Sequence, residues 1–176
     1  TVARITKQQQ RRLKVFLIVE GRLLIHIPLL LAAAVLGGIP LNSHASFCQN
    51  NRLSMGGFDP QLGSVTLCEK NLNREKNSYL NVIKHELAHV VQHRMGRDGD
   101  ALMPNSLLAP LVRDLLPQKE VMAVLMQYPS NEINGELEAR LASRYVPSEL
   151  IAVAVVATRN WTHNRHGHHD QAAANP

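Results

Sequence analysis

A chain of 176 residues, 45% hydrophobic and 19% charged, is long enough for one domain with a modest core and gives no reason to expect two. Its formal charge of +5 comes from residues 1–45, where Arg4, Lys7, Arg11, Arg12, Lys14 and Arg22 are opposed by Glu20. In residues 46–176 thirteen Lys/Arg meet thirteen Asp/Glu, so the body of the chain is neutral and offers no basic footprint for nucleic acid.

In chain order, the basic start leads into Leu29–Ile39 (LLLAAAVLGGI), an apolar run of signal-peptide length, and then into Ser43-His44-Ala45, a small-x-small pattern. Residues 1–45 are therefore expected to direct export to a periplasmic, lumenal or extracellular space, with or without cleavage after Ala45. Two alternatives stand beside this. One is an uncleaved anchor over residues 23–39, which would bring membrane contact through the N-terminal apolar segment; it is near the lower limit of about 17 residues for a bilayer span, and it contains His26 and Pro28. The other is a buried N-terminal helix. Cys48 and Cys68 both follow Ala45. In an exported chain they suit a disulfide, with two buried thiols as the alternative, and their spacing does not make a metal site by itself.

Leu53-Ser54-Met55 and Ser64–Leu67 have strand character, and Gly56–Pro60 between them carries the Gly and Asp-Pro marks of a loop. The rest of the domain, residues 46–158, reads as helices. The longest spans 78–95, with Asn77 or Ser78 at its start and Gly96 at its end; others are expected at about 105–116, 118–128, 131–144 and 148–158, jointed at Pro117, Pro129 and Pro147. Residues 159–176 are polar and Ala/His-rich without periodicity, so a disordered tail is expected. His163, His166, His168 and His169 there lack an element to fix a metal geometry. No segment repeats.

The helix over 78–95 carries His85-Glu86-Leu87-Ala88-His89. At ~100° per residue the two imidazoles lie about 40° apart on one side and ~6 Å apart along the axis, so both can bind one ion. Ile83, Leu87, Val90 and Val91 take the opposite side and form a core face. Glu86 adjoins a ligand without being one, which is the place for a base that takes a proton from a zinc-activated water. Zinc would lower that water's pKa towards ~7 and polarise a carbonyl. His93 lies ~12 Å from His85 along a straight helix, too far to be the third ligand, and reads as a supporting or solvated residue. Tyr79, Tyr128 and Tyr145 each offer a hydroxyl for an oxyanion, and nothing in the sequence chooses among them.

The helix over 131–144 reads N-E-I-N-G-E-L-E-A-R-L-A-S and contains Glu132, Glu136 and Glu138. H-E-L-A-H followed by E-L-E-A resembles the gluzincin pattern H-E-x-x-H … E-x-x-A, found in prenyl-protein endopeptidase relatives and in phage-repressor-type regulatory peptidases. The stretch H-E-L-A-H-V-V-Q is also similar to the zincin-like core domain associated with contractile injection systems. The resemblance covers two short segments of the chain. It implies a zinc metallopeptidase acting on a peptide or protein, with His85, His89 and Glu136 as zinc ligands and Glu86 as general base. Arg140 stands where those families usually have Asp or Asn. Glu138 is about 200° around the helix from Glu136 and cannot face the same ion, whereas Glu132 shares a face with Glu136 and is the fallback ligand. Arg140, four residues after Glu136, would hold its carboxylate or balance its charge.

The expected fold is a compact, mostly helical α+β domain of zincin type: a short antiparallel strand pair, the helix bearing the histidines and a ligand helix packed across it. A different class remains open, a catalytically inactive zinc-binding structural or interaction module of a larger assembly. Glu86 favours the enzyme, because a structural site is usually closed by four protein ligands and needs no base.

Overall fold

A computed structural model of the chain describes residues 25–43, 46–50, 54–72, 76–97 and 100–161. The basic residues before position 25, Leu53 of the first expected strand, and the four tail histidines lie outside the described residues. The domain is α+β and mostly helical, as expected. Its elements are α1 (residues 25–36), β1 (Leu41–Asn42), α2 (Ser46–Asn50), β2 (Gly56–Asp59), β3 (Ser64–Leu67), α3 (Glu69–Leu72), α4 (Lys76–Arg94), α5 (Asn105–Leu115), α6 (Gln118–Gln127), α7 (Ile133–Tyr145) and α8 (Ser148–Ala157). The four helices after α4 fall where the proline joints put them, and α4 ends just before Gly96, whose φ of 77° is the left-handed turn that favours glycine.

The strands depart from expectation in two ways. The antiparallel pair exists as β2 and β3, with Phe58 opposite Val65, but β1 joins β3 in parallel and makes the sheet three-stranded in the order β1-β3-β2. The first strand of the pair is also displaced: Gly56–Asp59, read as a loop, is the strand, and the turn follows it at Pro60–Gly63. Asp59 makes that turn locally, its Oδ1 accepting from the backbone N–H of Gln61 at 2.9 Å and of Leu62 at 3.0 Å. Gly56 sits in a strand because of what it packs against. A Cβ there would stand 2.8 Å from Val82 Cγ1 and 3.1 Å from Glu86 Oε1, so only a glycine brings the strand this close to α4.

Two cores flank the α4–α7 contact. One joins α1, β3, α4 and α8 through Leu30, Ala34, Val65, Ile83, Leu87, Val90 and Val155. The other joins α5, α6 and α7 through Leu108, Val112, Val124, Leu137 and Leu141. The expected apolar back of α4 is therefore present, since Ile83, Leu87, Val90 and Val91 are all buried. Arg94 at the end of α4 donates to Val155 O at 2.9 Å and to Gly37 O at 2.8 Å, satisfying carbonyls at the C-terminal ends of α8 and α1. Cys48 and Cys68 form a disulfide that ties α2 to the end of β3. Among the described residues no helix is long and apolar enough to cross a membrane.

Candidate metal centre

α4 presents His85 and His89 towards α7, and α7 brings Glu136 to them. The ligand atoms of the three side chains lie within 4.8 Å of one another. His89 Nε2 is 3.1 Å from His85 Nε2 and 3.1 Å from Glu136 Oε1, while His85 Nε2 is 3.6 Å from Glu136 Oε2. Glu136 Oε2 is buried without a hydrogen-bond partner. Two imidazole nitrogens and a carboxylate aimed at one point, with an orphaned oxygen among them, fit a borderline-soft divalent cation that takes N and O ligands. His85, His89 and Glu136 thus form a group that can hold a metal ion.

Electrostatics follow from the burial of this group. Burial alone would raise the pKa of Glu136, but the close approach of His85 and His89 and their charge outweigh it and hold the carboxyl well below the usual range. Burial would lower that of His89, yet the hydrogen bond and charge of Glu136 prevail and raise it. Glu86 is only 6% exposed, and desolvation pushes its carboxyl up against the opposing influence of the two histidines.

A chain of hydrogen bonds behind His89 sets its tautomer. Gln92 donates from Nε2 to Gly135 O at 3.1 Å and to Glu138 Oε2 at 2.8 Å. Both partners are acceptors, so the amide is oriented with Oε1 towards His89 Nδ1, 2.8 Å away. Nδ1 must then carry the proton, which leaves Nε2 of the neutral ring to the centre. Glu138 also accepts from the backbone N–H of Leu102 and Met103, each at 2.8 Å. Glu138 is outside the group of His85, His89 and Glu136, as its place on the helix dictates, and it fastens α7 to Gln92 and to the segment before α5.

The other expected residues separate clearly. Glu132 stands at the N-cap position of α7, half-buried and without a capping side-chain hydrogen bond, outside the ligand group. His93 packs against the Phe58 ring with centroids 5.5 Å apart, also outside the group. Tyr145 donates to Leu115 O and Tyr79 packs against the first core, whereas Tyr128 lines the cleft beside His85 and Glu86. Burial, followed by the negative charge of Glu136, pushes the Tyr128 phenol up to about 12, so it stays a donor at neutral pH. That cleft has a volume of ≈ 740 Å³ and is walled by Met55 and Gly56, at the start of β2, on one side and by Arg140 and Ser143 of α7 on another. Comparison of the chain with protein-family models, curated proteins and solved structures finds no match to any of them.

The sequence did not announce Gln92 or Glu138 as supports of the centre. A Gln three residues after the second histidine was the available signal, because on a helix it shares that histidine's side.

Proposed function

We propose that this protein is a zinc-dependent metallopeptidase. The observation that carries the reading is the pairing of a three-ligand group with a buried acid outside it: Glu86 adjoins His85, faces the same cleft and belongs to no ligand set. A structural site would be expected to have a fourth protein ligand and no spare base. Zinc held by His85, His89 and Glu136 would supply a Lewis acid that polarises the substrate carbonyl and acidifies a water.

The chain's own groups account for the remaining work. Glu86, with its pKa raised by burial, takes the proton of the attacking water and passes it to the leaving amine. Tyr128, protonated at working pH, is the tyrosine placed to donate to the oxyanion. β2 is an edge strand, and its Gly56 end, with Met55 before it, borders the cleft, which suits an extended peptide laid alongside. The disulfide between Cys48 and Cys68 supports placing the protein in an oxidising compartment, reached through an N-terminal export signal.

Two substitutions test the roles. Glu86→Gln is expected to keep its zinc and fold and to lose peptide hydrolysis by at least ~10²-fold. Glu136→Gln is expected to weaken zinc binding itself, since a neutral amide oxygen is a poorer ligand. Zinc lost at Glu86 and kept at Glu136 would reverse the assignment. If neither change affects zinc or activity, the reading as an inactive zinc-binding module takes precedence.

A further inference from the structure

Arg140 is the side chain of the cleft that the proposed chemistry leaves without a task. The other described arginines each have a partner of their own. Arg94 bonds two helix-end carbonyls, Arg97 pairs with Asp100, Arg113 with Asp114, Arg144 with Glu120, and Arg159 donates to Leu36 O. Arg140 has only a share of Glu136. Its Nε stands 3.7 Å from Glu136 Oε2, beyond hydrogen-bonding distance, and is buried without a partner. The carboxylate it faces is already turned to His85 and His89.

Metal binding makes this mismatch larger. A cation on Glu136 takes up the charge that Arg140 now shares, leaving the guanidinium uncompensated in the cleft wall. Among the described residues the charged ones lining the cleft are Glu86, Glu120, Arg140 and Arg144, which cancel, so a divalent ion with Glu136 leaves this part of the loaded cleft with a net positive charge. A planar guanidinium held over such a cleft is matched by a carboxylate, through charge-assisted and bidentate bonds. Contact between Arg140 and Glu136 also sets the reach. One residue of extended chain spans roughly 3.3–3.6 Å, so a group held by Arg140 belongs to the residue next to the reacting carbonyl.

We propose that Arg140 is the receptor for a substrate carboxylate, so that the site selects peptides with a negative charge on the residue adjoining the scissile bond. This rests on the peptidase reading. The carboxylate can come from a free C-terminus or from an Asp or Glu side chain, and the two sources separate by experiment.

The test is equilibrium binding, read by calorimetry on the zinc-loaded Glu86→Gln protein, which is expected to bind peptides without cleaving them. The probes are acetyl-tetraalanine as free acid, the same peptide as C-terminal amide, and the amide with Glu as its last residue. The expected result is about tenfold tighter binding of one acidic probe than of the plain amide. Preference for the free acid assigns recognition of a chain end, and preference for the Glu amide assigns recognition of a side chain.

Arg140→Gln should abolish the preference with zinc content unchanged, and Arg140→Lys should keep part of it. On unaltered zinc-loaded protein, succinic monohydroxamate should bind about tenfold tighter than its neutral carboxamide analogue, whatever the variants do. Equal binding of acid and amide probes overturns the proposal, as does a preference that survives in Arg140→Gln. Loss of zinc in Arg140→Gln, with no acid preference in Arg140→Lys, also overturns it and reduces Arg140 to a support for Glu136. A protein that shows the preference but cleaves no peptide keeps this assignment and loses the hydrolytic one.

Discussion

The two sides of α4 are held by different physics. Towards α1 and α8 the contact is mainly apolar: Leu30, Ala33, Ala34, Ala152 and Val155 fill it, and of the buried charges of α4 Lys84 feels Glu149 of α8 while Arg94 is spent on helix-end carbonyls. Towards α7 the contact is polar and directional. His85, His89 and Gln92 meet Glu136, Gly135 O and Glu138 at 2.8–3.6 Å. The first side needs volume and hydrophobicity, and it tolerates exchange of one apolar residue for another of similar size. The second side needs particular atoms at particular places, because a buried polar group that loses its partner keeps its desolvation cost.

The largest effect should come from removing the apolar side. Cleavage after Ala45 would take away α1 and β1, and with them the buried Leu30, Ala33, Ala34 and Ile39. Fully burying a Leu or Ile contributes about 1.5–3 kcal/mol, so the loss is a large part of the roughly 5–15 kcal/mol by which a domain is stable. A protein beginning at Ser46 is expected to show a strongly lowered denaturation midpoint. Mass spectrometry of the protein from its native host would then find an intact N-terminus or a truncated one. An equally stable protein starting at Ser46 would mean that α1 is dispensable and free to act as a cleaved signal.

Next in size is the loss of the metal. A His85→Ala, His89→Ala double variant, with residues 162–176 removed so that the tail histidines cannot contribute, should hold no stoichiometric zinc by elemental analysis. Its apolar side is untouched, so it should still unfold cooperatively. Full zinc occupancy in that variant would place the ion somewhere other than the α4–α7 contact.

The difference between the two sides also explains what could be read from sequence. The back of α4 and the pair His85 and His89 were legible because both follow from the 3.6-residue period within one helix. Glu136 came from its position in a short pattern, and the turn of the helix correctly set Glu138 aside. The strand at Gly56–Asp59 was misplaced because a glycine normally marks a loop, and here it answers to Val82 and Glu86, which lie far along the chain. The place of Tyr128 in the cleft, and the tie from His89 through Gln92 to Glu138, depend on how the later helices lie against α4. Helix periodicity carries no information about that packing.

Breaking the polar side one atom at a time should have a moderate effect. Gln92→Leu removes the acceptor at His89 Nδ1 and leaves Gly135 O and Glu138 short of a donor. Zinc affinity, measured by competition with a chromophoric chelator, is expected to fall about 10–100-fold, the range for lost supports of a metal-bound histidine. Unchanged affinity would show that the packing of α4 on α7 orients His89 unaided.

The smallest effect is a change of sign with pH, confined to the polar side. In metal-free protein the folded pKa of His89 is raised, so its stabilisation is complete below the unfolded value of about 6.5 and is lost as pH rises through the folded value. Glu86 is an acid with a raised folded pKa, and it works in the same direction from its unfolded value of 4.5 upwards: the unfolded chain releases a proton that the folded one holds. Glu136 is the opposite case. Its depressed folded pKa gives stability that is present above 4.5 and lost only deep in acid. Metal-free protein should therefore melt a few degrees lower at pH 8 than at pH 5.5. Zinc-loaded protein should show the reverse slope over that interval, because a proton leaving His89 vacates a ligand site and binding strengthens as protons cease to compete. Thermal melts of both forms across the interval decide it, and parallel slopes would mean that His89 is not where metal and proton exchange.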